Sequence, residues 1–446
     1  MDYDGRMNEE PVRIIGGGLA GCEAAWRAAR LGAMVELWEM KPLQFSPAHH
    51  EDGLAELVCS NSFRSDDPYS AVGRLKDEMR ALGSLVMEAA EATRVPAGKA
   101  LAVDRLAFSS YVTRAVEASA RIRVVRREAE TIDPGRLTVL ASGPLTSQPL
   151  TEALVELIGP DQLYFYDAVA PIVTAESVDM GHAFFASRYD ETGAGDYLNL
   201  PMDEDEYRAF YQALIEADET PARDFERAKF FEGCLPIEVM ARRGEMTLAY
   251  GPMKPVGLKD PRTGRRPFAV VQLRRENQAG TLFNLVGFQT RIRRGDQDRV
   301  FRMIPGLAEA EFVRHGSVHR NTFINAPRHL SEFLSLKKYP MIFVAGQLAG
   351  VEGYVESAAA GILAGINAGR TALGLAPTSP PPTTALGGLV NHLTDAVERD
   401  FQPSNINFGL LPPVGRKMKK KDRAVFHVQR AEADLGAWLA EIEHET

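Results

Sequence analysis

Apolar and polar positions change period several times along the chain, and each change marks an element. Residues 12–15 are a short apolar run, as in a buried strand. Gly16-Gly17-Gly18-Leu19-Ala20-Gly21 follows at once, and residues 22–31 then carry apolar positions at helical spacing. A second strand is predicted over 34–38, ending at Glu39. Far downstream, residues 137–143 and 341–347 are two further apolar runs that end in small residues. The second leads through Gly353-Tyr354 into a small-residue helix reaching Ala368. Residues 151–158 read as a helix, and 203–217 as another, with an acidic first turn. Between and around them, 163–173 and 268–292 are β-branched and aromatic with alternation, which predicts strands. The pattern divides the chain into an α/β unit in two parts, 11–150 and 316–376, and an α+β unit inserted over 160–315. A proline-rich linker at 377–382 precedes a helical, basic tail over 383–446, broken at Gln402-Pro403 and Pro412-Pro413.

Strand, G-x-G-x-x-G, helix is the pattern of a Rossmann-type dinucleotide site. Gly16 permits the tight turn, Gly18 lets a pyrophosphate approach the backbone, and Gly21 lets the helix pack on the sheet. Leu19 and Ala20 then open the helix whose N-terminus receives the phosphates. Glu39 lies 18 positions beyond Gly21, close to the spacing of a carboxylate that holds a ribose hydroxyl. The late strands resemble those of FAD-dependent oxidoreductases, with Gly346-Gln347 where Gly-Asp is usual, so FAD is expected rather than NAD. The fold class expected is α/β, a split Rossmann-type FAD-binding domain with an inserted α+β domain.

Composition narrows the class further. The chain has 446 residues and is 45% hydrophobic, enough for a large core without staples. Three cysteines at unrelated spacings fit neither a disulfide framework nor a zinc site, so a reducing cytoplasm and no metal are expected. The N-terminus is acidic and unlike a secretory signal, and no run is long and apolar enough for a membrane span. A net charge of −9 gives no global argument for nucleic acid, so any such binding needs local basic clusters. Two exist: Arg416, Lys417, Lys419, Lys420 and Lys421 in the tail, and Arg274, Arg275, Arg291, Arg293 and Arg294 in the insert. By themselves such runs are usually solvated faces.

Of the cysteines, Cys22 sits in the first helix and reads as a small core residue. Cys59, in Glu56-Leu-Val-Cys-Ser-Asn-Ser-Phe-Arg-Ser65, and Cys234, in Phe231-Glu-Gly-Cys-Leu-Pro-Ile-Glu238, stand in polar or glycine-bearing settings where a reactive thiol is plausible chemistry. Both segments resemble signatures of the folate- and FAD-dependent tRNA (uracil-5-)-methyltransferases, the TrmFO family. So do Tyr250-Gly-Pro-Met-Lys-Pro-Val-Gly-Leu258, Val286-Gly-Phe-Gln-Thr290, Asn321-Thr-Phe-Ile-Asn-Ala-Pro327, the segment from Gly346 to Glu356, and Phe401-Gln-Pro-Ser-Asn-Ile-Asn-Phe-Gly409. The matches run in order from about 11 to about 413. Lys99, where glycine is expected, and the arginine-rich 291–294 depart from the family pattern.

The resemblance implies methylation of C5 of the T-loop uridine of tRNA. The carbon comes from 5,10-methylenetetrahydrofolate, and the electrons come from reduced FAD recharged by NADH or NADPH. Cys59 and Cys234 are then nucleophile and general base, Cys59 being the favoured nucleophile. The chemistry suits them: a thiolate adding at uracil C6 makes C5 nucleophilic, and a base must then take the C5 proton. Tyr354, beside Gly353, is expected at the flavin or as a packed core tyrosine. Asn325 is expected on folate or flavin, or capping a turn. Asp104-Arg105 resembles a flavin-domain element and reads otherwise as a surface ion pair, and His49-His50 is a further pair near the site. The alternatives are the related flavoproteins that install carboxymethylaminomethyl groups on the wobble uridine, which carry a large helical C-terminal region, and an FAD oxidoreductase of a small metabolite. A flavin-bound RNA-binding protein without catalysis would not need both cysteine motifs.

Overall fold

A computed structural model describes residues 10–159, 163–188, 195–219, 235–398, 401–415 and 418–444. Its first layer is a five-stranded parallel sheet. In spatial order the strands are Ile342–Val344, Thr138–Leu140, Val12–Ile15, Val35–Glu39 and Ile122–Arg126. The late strand pairs in register beside the early ones, Ile342 opposite Thr138 and Val344 opposite Leu140. Residues from both ends of the chain thus complete one Rossmann-type FAD-binding sheet. The central strands are buried on both faces, which is why they read as continuous apolar runs.

The helix Leu19–Arg30 begins inside the glycine hexad. It lies against the long helix Tyr354–Ala372. A Cβ on Gly361 would lie 2.2 Å from the Ala20 carbonyl oxygen, and one on Gly365 would lie 2.5 Å from that of Ala24. Glycine costs helix propensity, roughly 1 kcal/mol each. Here it is what allows two backbones to meet.

The inserted unit is a six-stranded antiparallel sheet with its own core. The order is Phe184–Ala186, Tyr197–Met202, Ala269–Arg275, Leu282–Leu285, Ile172–Thr174 and Phe312–Arg314. The helix Glu204–Ile215 covers it, started by a capping box between Asp203 and Glu206. Two strands, Leu163–Val169 and Ser317–Phe323, carry the chain into and out of this unit and pair antiparallel with each other.

The C-terminal stretch differs from the expected linker and tail. Helices Ala385–Asp395 and Lys420–His444 contribute Leu386, Leu389, Leu393, Leu435, Trp438 and Ile442 to the core of the FAD-binding unit. The Glu78 carboxylate accepts from the N–H groups of Ala385 and Leu386, both at 2.9 Å, and so satisfies the start of the first of these helices. The prolines and the basic run dominate this stretch of sequence, but its apolar positions at helical spacing decide where it goes.

Candidate active site

A cavity opens at the carboxyl ends of the parallel strands, where open α/β sheets hold ligands. Gly16, Gly17, Gly18, Leu19 and Ala20 form its floor, and Gly346, Gln347 and Tyr354 close it from the other half of the chain. The glycines fit their expected tasks. Gly16 has φ +107°, and a Cβ on Gly21 would lie 1.7 Å from the Gly16 carbonyl oxygen. A Cβ on Gly18 would meet no protein atom within 4 Å. The Glu39 carboxylate is fixed by Gly17 N–H at 2.7 Å and Lys41 N–H at 2.9 Å. An acid held at the glycine turn, glycines that a Cβ would block, and a helix N-terminus suit the ribose and pyrophosphate of FAD.

Sequence reasoning missed part of this wall. Trp38 lines the cavity with the guanidiniums of Arg13 and Arg127 at 4.2 Å and 4.7 Å from its ring centroid, a cation–π arrangement. His49, read only as a neighbour of the site, also lines it, 2.5 Å from Ser46 Oγ. Burial, with Lys41 nearby, pushes its imidazole below the ordinary range. Gln347 turns its amide to Glu352 at 3.1 Å. Gly353 is the N-cap of the long helix at φ +102°, where a Cβ would lie 2.6 Å from Glu356 Oε2.

Cys59 lies in the loop before the strand Ser62–Ser65, next to the cavity-lining Val58. This loop is gripped from two sides. On one side the Tyr354 phenol oxygen accepts from Cys59 N–H at 2.7 Å and Ser60 N–H at 3.1 Å. On the other, arginines hold the carbonyls. Arg314 donates to Val58 O at 2.8 Å and Cys59 O at 3.3 Å. Arg105 donates to Leu57 O and Cys59 O and pairs with Glu276. Arg274 donates to Asn61 Oδ1 at 2.9 Å and Ser60 Oγ at 2.8 Å. Burial pushes the Arg314 guanidinium down to about 10, aided by the like charge of Arg105, and still leaves it charged at neutral pH. Burial likewise raises the Tyr354 phenol, which stays protonated.

Two sequence readings change here. Arg105 is not a surface partner of Asp104. Asp104 caps its helix through Ala107 N–H at 3.1 Å, while Arg105 reaches Glu276, 171 positions away. Arg274 is not part of an exposed basic group, since it is buried under the Cys59 loop, while Arg275 points outward over Phe185. Strand alternation separates the two.

The other sequence-predicted residues are scattered. Cys234 lies outside the described residues, as do Arg416 and Lys417. Lys419 is exposed, and Lys420 and Lys421 begin the last helix. Arg293 and Arg294 are exposed at the start of the helix Arg294–Phe301, whereas Arg291 is engaged in an ion pair with Glu219. Asn325 neither lines the cavity nor caps a turn, and its amide donates to Glu398 O at 3.0 Å. Cys22 is buried, its thiol 3.3 Å from Gly17 O, and burial drives that thiol strongly upward, so it is inert. Among the described residues no group of three His, Cys, Asp or Glu side chains could hold a metal ion.

The 401–409 segment, predicted as tail, is built onto the same turn. Glu352 N–H donates to Ser404 O at 3.0 Å, Asn405 donates to Glu352 O at 2.5 Å, and Ile406 N–H donates to Glu356 at 2.9 Å. Glu356 in turn pairs with Arg64, on the strand that follows Cys59.

Comparison with known proteins gives a consistent result. Residues 11–376 match the family Glucose inhibited division protein A. The Methylenetetrahydrofolate--tRNA-(uracil-5-)-methyltransferase TrmFO of Geobacter sulfurreducens is 59% identical over 431 residues, covering 97% of this chain and 99% of its own. The protein of the same name from Moorella thermoacetica is 58% identical over 412 residues, covering 92% and 94%. Among solved structures, Aquifex aeolicus GidA aligns with TM-score 0.69 at 18% identity, covering 98% of this chain but 75% of its own, which is a likeness of fold. By near-full-length identity this chain belongs to the TrmFO family.

Proposed function

We propose that this chain methylates C5 of the T-loop uridine, position 54, of tRNA with a one-carbon unit from 5,10-methylenetetrahydrofolate, giving 5-methyluridine. The observation that carries this reading is the Cys59 loop, held at the edge of the cavity by Tyr354. Relatives named for this activity match along nearly their whole length and support it. In this reading Gly16 to Gly21, Glu39, Gly346, Gln347, Gly353 and Tyr354 hold FAD, which when reduced supplies the hydride that completes the methyl group. NADH or NADPH is the source of those electrons.

The thiolate of Cys59 adds to C6 of the uracil, and C5 bonds to the incoming carbon. Cys234 takes the C5 proton as the bond between the transferred carbon and its donor nitrogen breaks, and Cys59 leaves C6 as the methyl group is completed. The loop's fixed backbone sets the direction of the thiol before substrate arrives, which reduces the ordering needed at the reacting distance. The uridine must leave its stacked position to reach a thiol at the cavity edge. Arg293, Arg294 and the basic residues 416–421 are the phosphate contacts of this reading, with Arg291 and Asn325 as weaker candidates for substrate contact. No helix among the described residues is long and apolar enough to cross a membrane. The cytoplasm, where tRNA and reduced nicotinamides meet, is the proposed compartment.

Wobble-uridine modification is the second reading. It is disfavoured because the relatives that match at 58–59% identity along nearly their whole length are named for uracil-5 methylation, whereas the likeness to Aquifex GidA is one of fold at 18% identity. The test uses tRNA carrying 5-fluorouridine in the T-loop, which blocks C5 proton loss, together with label transfer from methylenetetrahydrofolate into ordinary tRNA. Wild type is expected to methylate ordinary tRNA and to trap the fluorinated one on a denaturing gel, and Cys59→Ala to do neither. Trapping by Cys59→Ala but not Cys234→Ala reverses the two roles. Absence of both label transfer and trapping in the FAD-loaded wild type overturns the reading.

A further inference from the structure

The inserted unit carries a basic surface that the reaction does not use. Residues 242–266 contain seven basic residues (Arg242, Arg243, Lys254, Lys259, Arg262, Arg265 and Arg266) and two acidic ones, a balance of +5 in a chain whose net charge is −9. Some of this charge is spent internally: Arg242 pairs with Glu219, and Arg262 pairs with Asp260 at 2.8 Å. Lys254, Lys259, Arg265 and Arg266 enter no ion pair among the described residues, and all but the half-buried Lys254 are exposed. In the same stretch of chain Tyr250 is 80% exposed, more than any other large apolar or aromatic side chain among the described residues.

The segment is nevertheless rigidly seated. Leu248, Met253 and Leu258 are buried beneath it. Met253 N–H donates to Leu248 O at 2.9 Å, and Val270 N–H ties Met253 O to the sheet at 2.9 Å. An exposed tyrosine on an anchored turn is positioned at little entropic cost, which is how aromatic platforms for bases are built. The surface also adjoins the described end of the Cys234 motif, from Leu235 onward. Pro252 packs against Gly287, where a Cβ would lie 2.7 Å from the proline, and Ile237, three positions beyond Cys234, donates to Gln289 O at 2.7 Å. Both segments therefore rest on the same 287–289 loop.

We propose that Tyr250, Lys254, Lys259, Arg265 and Arg266 form an RNA-binding face of the inserted unit, the cations on backbone phosphates and Tyr250 stacked on an unpaired base. This rests on the proposed tRNA substrate and adds where the tRNA body is held outside the reacting uridine. Cations around an aromatic platform, on a turn rather than along an amphipathic helix, fit a nucleic acid better than a lipid surface.

The test measures tRNA affinity against salt for the FAD-loaded wild type, Arg265→Ala/Arg266→Ala and Tyr250→Ala, with methylation kinetics and binding to phosphatidylserine vesicles alongside. Each phosphate contact contributes roughly 0.7–0.9 to the slope of log K against log salt. The double variant should therefore lose about 1.5 of slope, and its KM for tRNA should rise with flavin content intact. Tyr250→Ala should weaken binding roughly ten-fold with the slope unchanged, since stacking carries no counterion term, and Tyr250→Phe should restore it. Wild-type slope and affinity in the double variant overturn the proposal. So does loss of vesicle binding with tRNA binding intact, which would assign the face to a membrane. A wild type that neither binds nor methylates tRNA fails the proposed function instead, a result separable from these.

Discussion

Replacing Tyr354 by phenylalanine isolates the grip on the Cys59 loop from everything else the residue does. The ring stays, with its packing against Phe63 at 5.8 Å between centroids. What goes is one oxygen that accepts from Cys59 N–H at 2.7 Å and Ser60 N–H at 3.1 Å. Both residues are half-buried, so water replaces part of what is lost. Each bond is then worth about 0.5–1.5 kcal/mol, together about 1–3 kcal/mol. The loop does not melt, because Arg105, Arg274 and Arg314 still hold it from the other side. The loss instead lowers the fraction of molecules with the thiol correctly set, by roughly 5- to 150-fold at about 1.4 kcal/mol per factor of ten. Single-turnover trapping of 5-fluorouridine tRNA and steady-state methylation measure that fraction. The expected result is a fall of about ten-fold or more in trapping rate and kcat, with KM for tRNA and bound flavin unchanged. Rates within two-fold of wild type would refute positioning through these two bonds. A raised KM at constant kcat would do the same, by moving Tyr354 into substrate binding.

Two further outcomes follow from buried groups. Glu23 is wholly buried, and desolvation pushes its carboxyl up to about 7 against bonds from Ser84, Val86 and Leu85. The folded state therefore keeps a proton that the unfolded state releases at its ordinary value of 4.5, so stability falls as pH rises from about 4.5 to 7. The total loss is about 3 kcal/mol. In Glu23→Gln that fall should flatten, read as melting temperature from pH 5 to 8, and parallel curves for both proteins would contradict it. In Gly17→Ala the new Cβ would lie 2.6 Å from Leu54 Cδ2 and 2.7 Å from Glu39 Oε2. Overpacking of this kind costs about 1–3 kcal/mol. It should appear as weaker FAD binding in a flavin fluorescence titration, and an unchanged dissociation constant would show that Glu39 does not hold the ribose.

What was legible in the sequence was local, and what was missed joins distant positions. The strand, glycine turn and helix at 12–30 read directly, because burial period and backbone freedom are properties of neighbouring residues. The same holds for the helix with an acidic first turn that starts at Asp203 and the small-residue helix at 354–372. The arginine grip could not be read this way. Arg105 and Glu276 are 171 positions apart, and Arg314 is 256 from the Val58 carbonyl it holds. A charged side chain in a strand looks solvated until its partner is known, which is how Arg274 passed for surface. The C-terminal stretch misled for a related reason, since its basic run and prolines obscured the leucines that enter the core.

The topology nonetheless gives a reason for the grip. The insert leaves and re-enters the FAD-binding unit through two paired strands, Leu163–Val169 and Ser317–Phe323. Arg314 sits three positions before the returning strand, and Arg274 and Glu276 lie at the end of a strand of the same inserted sheet. Arg314 thus holds the Val58 and Cys59 carbonyls from next to where the insert returns to the FAD-binding unit, while Arg274 holds the side chains of Ser60 and Asn61. The Cys59 loop is thus held from both units, by Tyr354 and Arg105 of the FAD-binding unit and by Arg314 and Arg274 of the insert. A displacement of the inserted sheet would therefore act on the Cys59 loop directly, through Arg314 and Arg274.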